Sequence, residues 1–144
     1  MGPDAVTLTR TFHFSAGHRL ASPALGEEEN RALYGSCFRP HGHNYLLEVT
    51  VGGRVDPVTG MAADLEALEA AARRAVLDLV DNMNLDADVP ALTGVITTGE
   101  NLARVFWEML SEALPAGTLR RVAVVETANN TFEYYGDSTD GDVE

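Results

Sequence analysis

The chain contains no lysine, and its ten basic residues are all arginine. That excludes Schiff-base chemistry and the lysine of a phosphate-binding P-loop. We read the absence as compositional bias of the genome, not as function. There is one cysteine, Cys37, so no disulfide can form within the chain. Positive charge is scarce: ten basic against 22 acidic residues leave a net charge of −12. A surface of that sign repels phosphate backbones and anionic lipid, so neither nucleic acid nor membrane is an expected partner. No apolar run approaches the roughly 18 residues of a membrane span. The first five residues carry no basic or apolar leader pattern, and a cytoplasmic protein is expected.

What is present suits one soluble domain. The 144 residues are 45% hydrophobic, enough to bury a core without staples. We expect a single domain over residues 1–136. The tail, 137–144, holds four carboxylates and no base, and is expected to be disordered.

Val6, Leu8, Phe12, Phe14 and Ala16 share one parity, and Thr7, Thr9, Thr11, His13 and Ser15 the other. That alternation predicts a half-buried strand with His18 continuing the apolar parity just past its end. A second alternation runs from His43 to Val51 and stops at Gly52-Gly53. Between them, Leu20 to Pro40 has no sustained period, and Glu27 to Leu33 suits a short helical turn. Asp64 to Asp81 predicts a helix capped by Asp64, with Leu65, Leu68, Ala72, Val76 and Leu79 as its apolar stripe. Asn82 to Gly94 is expected to be a connecting loop. Thr97 and Glu100 fit a capping box opening a second helix, which Pro115 and Gly117 stop. Two more strands follow, Leu119 to Thr127 and Thr131 to Gly136. The order ββααββ predicts an α+β fold: a four-stranded antiparallel sheet with two helices on one face. Its open edges invite pairing with other subunits.

Three of the four histidines converge on this plan. His41 and His43, two apart on an extended segment, point to one face. If the first two strands form a hairpin, His18 at the end of one meets them at the start of the other. Three imidazoles without a fourth protein ligand suit an open, catalytic Zn2+ site. His13 and Glu48 have the opposite parity; the first reads as a polar-face residue, the second as a cross-strand partner. Gly35-x5-His41-x-His43-x4-Glu48 also resembles the first cupin motif. No histidine follows His43, and two long helices do not suit a jelly roll. Cys37, four residues before His41, would sit beside a dication and Arg39, which favours the thiolate of a base or nucleophile. Glu126 ends the apolar face Val122, Val124, and a carboxylate there needs a partner with paired N–H groups.

Together these segments resemble the 6-pyruvoyltetrahydropterin and 6-carboxytetrahydropterin synthase family, from Phe12 to Gly136. Phe14-Ser15-Ala16-Gly17-His18-Arg19-Leu20 is similar to its first zinc-histidine segment. Cys37-x3-His41-Gly42-His43-Asn44-Tyr45 is similar to its cysteine and zinc-pair segment. Thr98-Gly99-Glu100-Asn101 and Val125-Glu126-Thr127 resemble its pterin-anchoring segments. The resemblance implies the tunnelling fold, trimers closing a barrel, a hexamer of two stacked trimers, and active sites between subunits, with Cys37 and Glu126 of neighbours sharing one site. It implies a Zn2+ enzyme acting on 7,8-dihydroneopterin triphosphate. His18, His41 and His43 would hold the metal, and Glu126, Thr98, Glu100 and Arg39 the substrate. Cys37, Asp81 and Asn82 would occupy the catalytic positions.

Two features select within the family. The three-residue gap between Cys37 and His41, with Arg39 inside it, resembles the bacterial enzymes of queuosine biosynthesis. The expected product is therefore 6-carboxytetrahydropterin, with the pyruvoyl product as the alternative. Asp81-Asn82 stands where the family usually has Asp-His, and Asn82 cannot take a proton at neutral pH. A catalytically weakened pterin-binding zinc protein is a further alternative.

Overall fold

The computed structural model describes residues 5–136; the expected acidic tail at 137–144 lies outside them. The first two alternating segments form long strands, β1 (Ala5–His18) and β2 (His41–Arg54), paired antiparallel along their whole length. The register sets Phe14 opposite Tyr45, Ala16 opposite His43 and His18 opposite His41. The parity that buries Phe12, Phe14 and Ala16 also buries His18. β4 (Leu119–Thr127) adds to β2, and β5 (Asn130–Tyr134) to β4, both antiparallel.

The sheet has five strands, not the expected four, in the order β3-β1-β2-β4-β5. β3 is only Met83–Asn84, parallel to β1 at Ala16 and Gly17. Two residues are too few to show a period, so the segment reads as loop from sequence. Just before it, Asn82 takes φ 63°, the left-handed region that asparagine tolerates better than most residues, and donates its amide to the Ser15 carbonyl.

One face of the sheet carries the core. Leu47, Val49, Val122 and Val124 pack there with Leu68, Val76, Leu102, Phe106 and Leu110 of the helices. The region between the first two strands holds a short helix, α1 (Glu27–Tyr34), and a 3-10 turn over Gly35–Phe38. The helix expected over Asp64 to Asp81 runs as α2 (Leu65–Ala72), a π-helical turn (Arg73–Leu77) and α3 (Asp78–Val80). Asp64 caps it, accepting from the Ala67 amide at 3.1 Å. The wider turn rotates the buried stripe: Leu77 and Val80 face the core, whereas Leu79, expected there, is exposed. Leu65 is exposed as well.

The second long helix, α4 (Gly99–Ala113), packs on β4 and β5. Its N-cap is Thr98, one residue later than expected, accepting from the Asn101 amide at 3.2 Å. Gly99 is required next: a Cβ there would strike the Phe132 ring of β5. The other face of the sheet is polar. Ser15 donates to Asn44, the Thr9 and Thr50 hydroxyls bond each other, and Arg121 bridges Glu48 and Glu133. Glu48 is thus the cross-strand partner that its parity predicts.

Candidate metal centre

Hairpin register builds the centre. His18, His41 and His43 offer ligand atoms that all lie within 4.8 Å of one another. Two of the rings are held by backbone carbonyls. His41 donates Nδ1–H to the Arg39 carbonyl at 2.7 Å. His18 donates Nδ1–H to the Thr97 carbonyl at 3.0 Å, with the Thr97 hydroxyl oxygen at 3.1 Å. Those bonds fix the tautomer and place the lone pair of each ring on Nε2, the usual preparation of a metal-binding imidazole.

Thr97 is fully buried and its hydroxyl donates to Asp86 at 2.8 Å. Asp86 also accepts from the Arg19 amide. Thr97 therefore orients the His18 ring instead of capping a helix. No local pattern announces this, because Thr97 and His18 are 79 residues apart. Tyr45 was also missed as a site residue. It stacks on Phe14, with centroids 4.7 Å apart, and its hydroxyl donates to His18 Nε2 at 3.3 Å. Its parity, shared with His43, was the available signal.

The electrostatics favour neutral imidazoles. Burial, then the neighbouring His41 and His43, push the pKa of His18 down to about 4, although Asp86 and the Thr97 carbonyl pull the other way. Burial also lowers His43, with His41 adding to the effect and Glu126 opposing it. Burial raises the Tyr45 phenol, as do the charges of Glu126 and Asp86, so it stays protonated and able to donate. Neutral rings are the metal-binding form. The donor set of three imidazoles within reach of one another fits Zn2+ with an open position.

The remaining expected residues divide. Glu126 comes to the centre from its own chain: its carboxylate lies 3.8 Å from His43 Nε2, and both side chains are largely buried. No neighbouring subunit is needed to bring it there. Arg39 contributes its carbonyl to His41 and lines a cavity beside His18. Thr98 is committed to the α4 cap, and Glu100 lies exposed in the first turn of that helix. Cys37 is exposed, and its carbonyl accepts from the Leu20 amide, two residues past His18.

Asp81 and Asn82 sit elsewhere. The Asp81 carboxylate accepts from the Ser15 amide at 3.0 Å, and Asn82 lines a shallow hollow with Ser15, Asn44 and His43. Cys37 bonds the chain at Leu20 and Asp81 bonds it at Ser15, five residues earlier.

Comparison with known proteins follows the same lines. The family described as 6-pyruvoyl tetrahydropterin synthase matches residues 7–137. The chain is 45% identical over 132 residues to human 6-pyruvoyl tetrahydrobiopterin synthase, covering 90% of this chain and 91% of that protein. It is 28% identical to the 6-carboxy-5,6,7,8-tetrahydropterin synthase of Aquifex aeolicus, over 88% and 96% of the two chains. The solved structure of the Caenorhabditis elegans 6-pyruvoyl tetrahydropterin synthase superimposes with a TM-score of 0.88 at 39% identity, covering 92% and 96%. The Cys37–His41 gap led to the carboxy enzymes as the expected match. The relatives reverse that preference and place the pyruvoyl alternative first.

Proposed function

The chain belongs to the 6-pyruvoyl tetrahydropterin synthase family, and from that premise we propose that it converts 7,8-dihydroneopterin triphosphate to 6-pyruvoyltetrahydropterin, with loss of triphosphate. The observation that carries the reading is the cluster of three imidazoles with Glu126 against it, in a chain 45% identical to a pyruvoyl enzyme. His18, His41 and His43 would hold Zn2+. When bound, the metal supplies Lewis acidity that makes substrate hydroxyls easier to deprotonate. Glu126 holds the pterin edge, each oxygen accepting a charge-assisted hydrogen bond from a ring N–H or amino group. Thr97 and Tyr45 hold His18 in place. Cys37 takes and returns protons at the substrate's side-chain carbons.

Cys37 bonds the chain at Leu20 and Asp81 at Ser15, and we propose that Asp81 and Asn82 meet Cys37 between copies of the chain. We therefore propose a homo-oligomer on threefold symmetry, a hexamer in its full form, with each site completed by a neighbour. The open sheet edges support that assembly. The partners are the small pterin substrate and further copies of the chain, with no nucleic acid and no membrane. Among the described residues, no helix is long and apolar enough to cross a membrane.

A second reading, formation of 6-carboxytetrahydropterin, keeps one specific support: the three-residue gap between Cys37 and His41. The third, a pterin-binding protein with weakened catalysis, rests on Asn82. Product analysis separates all three. Zinc-loaded protein is incubated with 7,8-dihydroneopterin triphosphate and the pterins are separated by chromatography. The pyruvoyl compound supports the proposal. A product two side-chain carbons shorter supports the carboxy reading. Unchanged substrate that stays bound supports the third.

A further inference from the structure

Asp86 stands outside the three imidazoles, yet it holds two of the groups around His18. Its Oδ1 accepts from the Thr97 hydroxyl at 2.8 Å, and its Oδ2 accepts from the Arg19 amide at 2.8 Å. Arg19 follows His18 in the chain, and the Thr97 hydroxyl oxygen lies 3.1 Å from His18 Nδ1. One carboxylate therefore holds both the backbone next to the ring and the hydroxyl against it.

The segment that carries Asp86 is itself fixed along β1. Asp81 accepts from the Ser15 amide at 3.0 Å, Asn82 donates to the Ser15 carbonyl at 2.6 Å, and Leu85 donates to the Gly17 carbonyl at 2.8 Å. These bonds step along the strand and deliver the carboxylate to its end. Asp86 is exposed, so water screens much of its charge. Its hold on the ring runs through the direction of hydrogen bonds instead.

Direction matters because a hydroxyl has a single proton, and an ionised carboxylate can only accept. Thr97 is 0% exposed, so water does not compete for that proton and Asp86 takes it. The Thr97 oxygen then offers only lone pairs to His18 Nδ1. Nδ1 must carry hydrogen, shared between that oxygen and the Thr97 carbonyl at 3.0 Å. The carbonyl by itself favours the same tautomer. The carboxylate removes the competing arrangement, in which the hydroxyl donates to Nδ1 and the ring proton moves to Nε2.

We infer that Asp86 is a positioning residue of the metal centre: through the Thr97 hydroxyl it fixes His18 in the Nδ1–H tautomer and so leaves the Nε2 lone pair for the metal. The metal half of this inference rests on the functional reading above, and the tautomer half does not.

Asp86→Asn keeps the size of the side chain and reverses the direction at one end. The Arg19 amide is a fixed donor, so the asparagine oxygen must face it and the NH2 group must face Thr97. The hydroxyl then turns its proton toward His18. Asp88→Asn is the control, because Asp88 braces the same loop by accepting from the Asn84 amide at 3.0 Å. Long-range 1H–15N NMR spectra of metal-free protein near neutral pH read the tautomer. Wild type and Asp88→Asn should show His18 protonated on Nδ1, and Asp86→Asn should show a population protonated on Nε2. A competition titration then reads zinc affinity. Asp86→Asn should weaken it by about 10–100-fold, and Asp88→Asn by less than about twofold. In a Thr97→Val background, which has no hydroxyl to direct, adding Asp86→Asn should cost less than about twofold. Thr97→Ser keeps the hydroxyl and should match the wild type in both readouts. An unchanged His18 spectrum in Asp86→Asn overturns the inference. So does a zinc loss that Asp88→Asn shares, or one that persists in full beside Thr97→Val, since each would mark a merely structural role. A tautomer shift in a protein whose wild type binds no zinc would keep the control of the ring and sink the metal reading.

Discussion

Acidifying the metal-free protein should remove stability through one ring. His18 is 3% exposed, and its pKa is pushed down to about 4 from an ordinary 6.5, mainly by burial and then by His41 and His43. The unfolded chain takes up this proton first as pH falls, so between those two values the unfolded state binds more protons. The stabilisation is complete above pH 6.5 and is lost as pH falls through 4. A shift of this size corresponds to about 3 kcal/mol in full, most of it spent between pH 6 and pH 4.5. That is a large fraction of the 5–15 kcal/mol typical of a whole domain. Urea unfolding of chelator-treated protein, at fixed chain concentration and salt, measures it at several pH values. His18→Asn, which cannot titrate, is the reference, since carboxylates protonate in both proteins. The wild type should lose roughly 2–3 kcal/mol more than the variant between pH 7 and pH 4.5. Parallel curves would refute the reasoning. Adding zinc should hold the ring neutral and move the loss to lower pH.

Four further outcomes are expected. His41→Ala and His43→Ala should each lower zinc content in elemental analysis; wild-type content in both would remove these residues as ligands. Thr97→Val keeps the carbonyl bond to His18 but strips the hydroxyl from Asp86, and should weaken zinc binding by about 10–100-fold in a competition titration. Glu126→Gln puts a donor where the pterin edge needs an acceptor, and calorimetry should show a loss of about 1.5–3 kcal/mol in pterin affinity. Asn82→His should raise turnover by roughly 10²-fold if a titrating group is missing there. Asn82→Gly, suited to the φ of 63°, should leave turnover unchanged. A wild type already as fast as Asn82→His would show that the proton travels another way.

The histidine cluster was legible because its placement depends on short-range geometry. Alternation assigns a face to every strand residue, and a hairpin brings the end of one strand to the start of the next. Those two rules suffice to unite His18, His41 and His43 and to set Glu48 apart. The helices were legible for the same reason, from period and caps. Other features depend on contacts that no local period records. β3 consists of two residues, held by pairing to Ala16 and Gly17. The π turn at Arg73–Leu77 moves Leu79 out of the core although its spacing is regular. Thr97 looks like a helix cap in sequence, yet Thr98 takes that position and Thr97 turns to His18, 79 residues away. The cavity beside His18 joins the end of β1, α1 and the turn before β2, and the guanidinium groups of Arg19 and Arg31, which share no spacing in sequence, both meet the Phe38 ring. The places where Cys37 and Asp81 meet the chain have the same origin: Asp81 bonds Ser15 on β1 and Cys37 bonds Leu20 just past its end, contacts that no local spacing records.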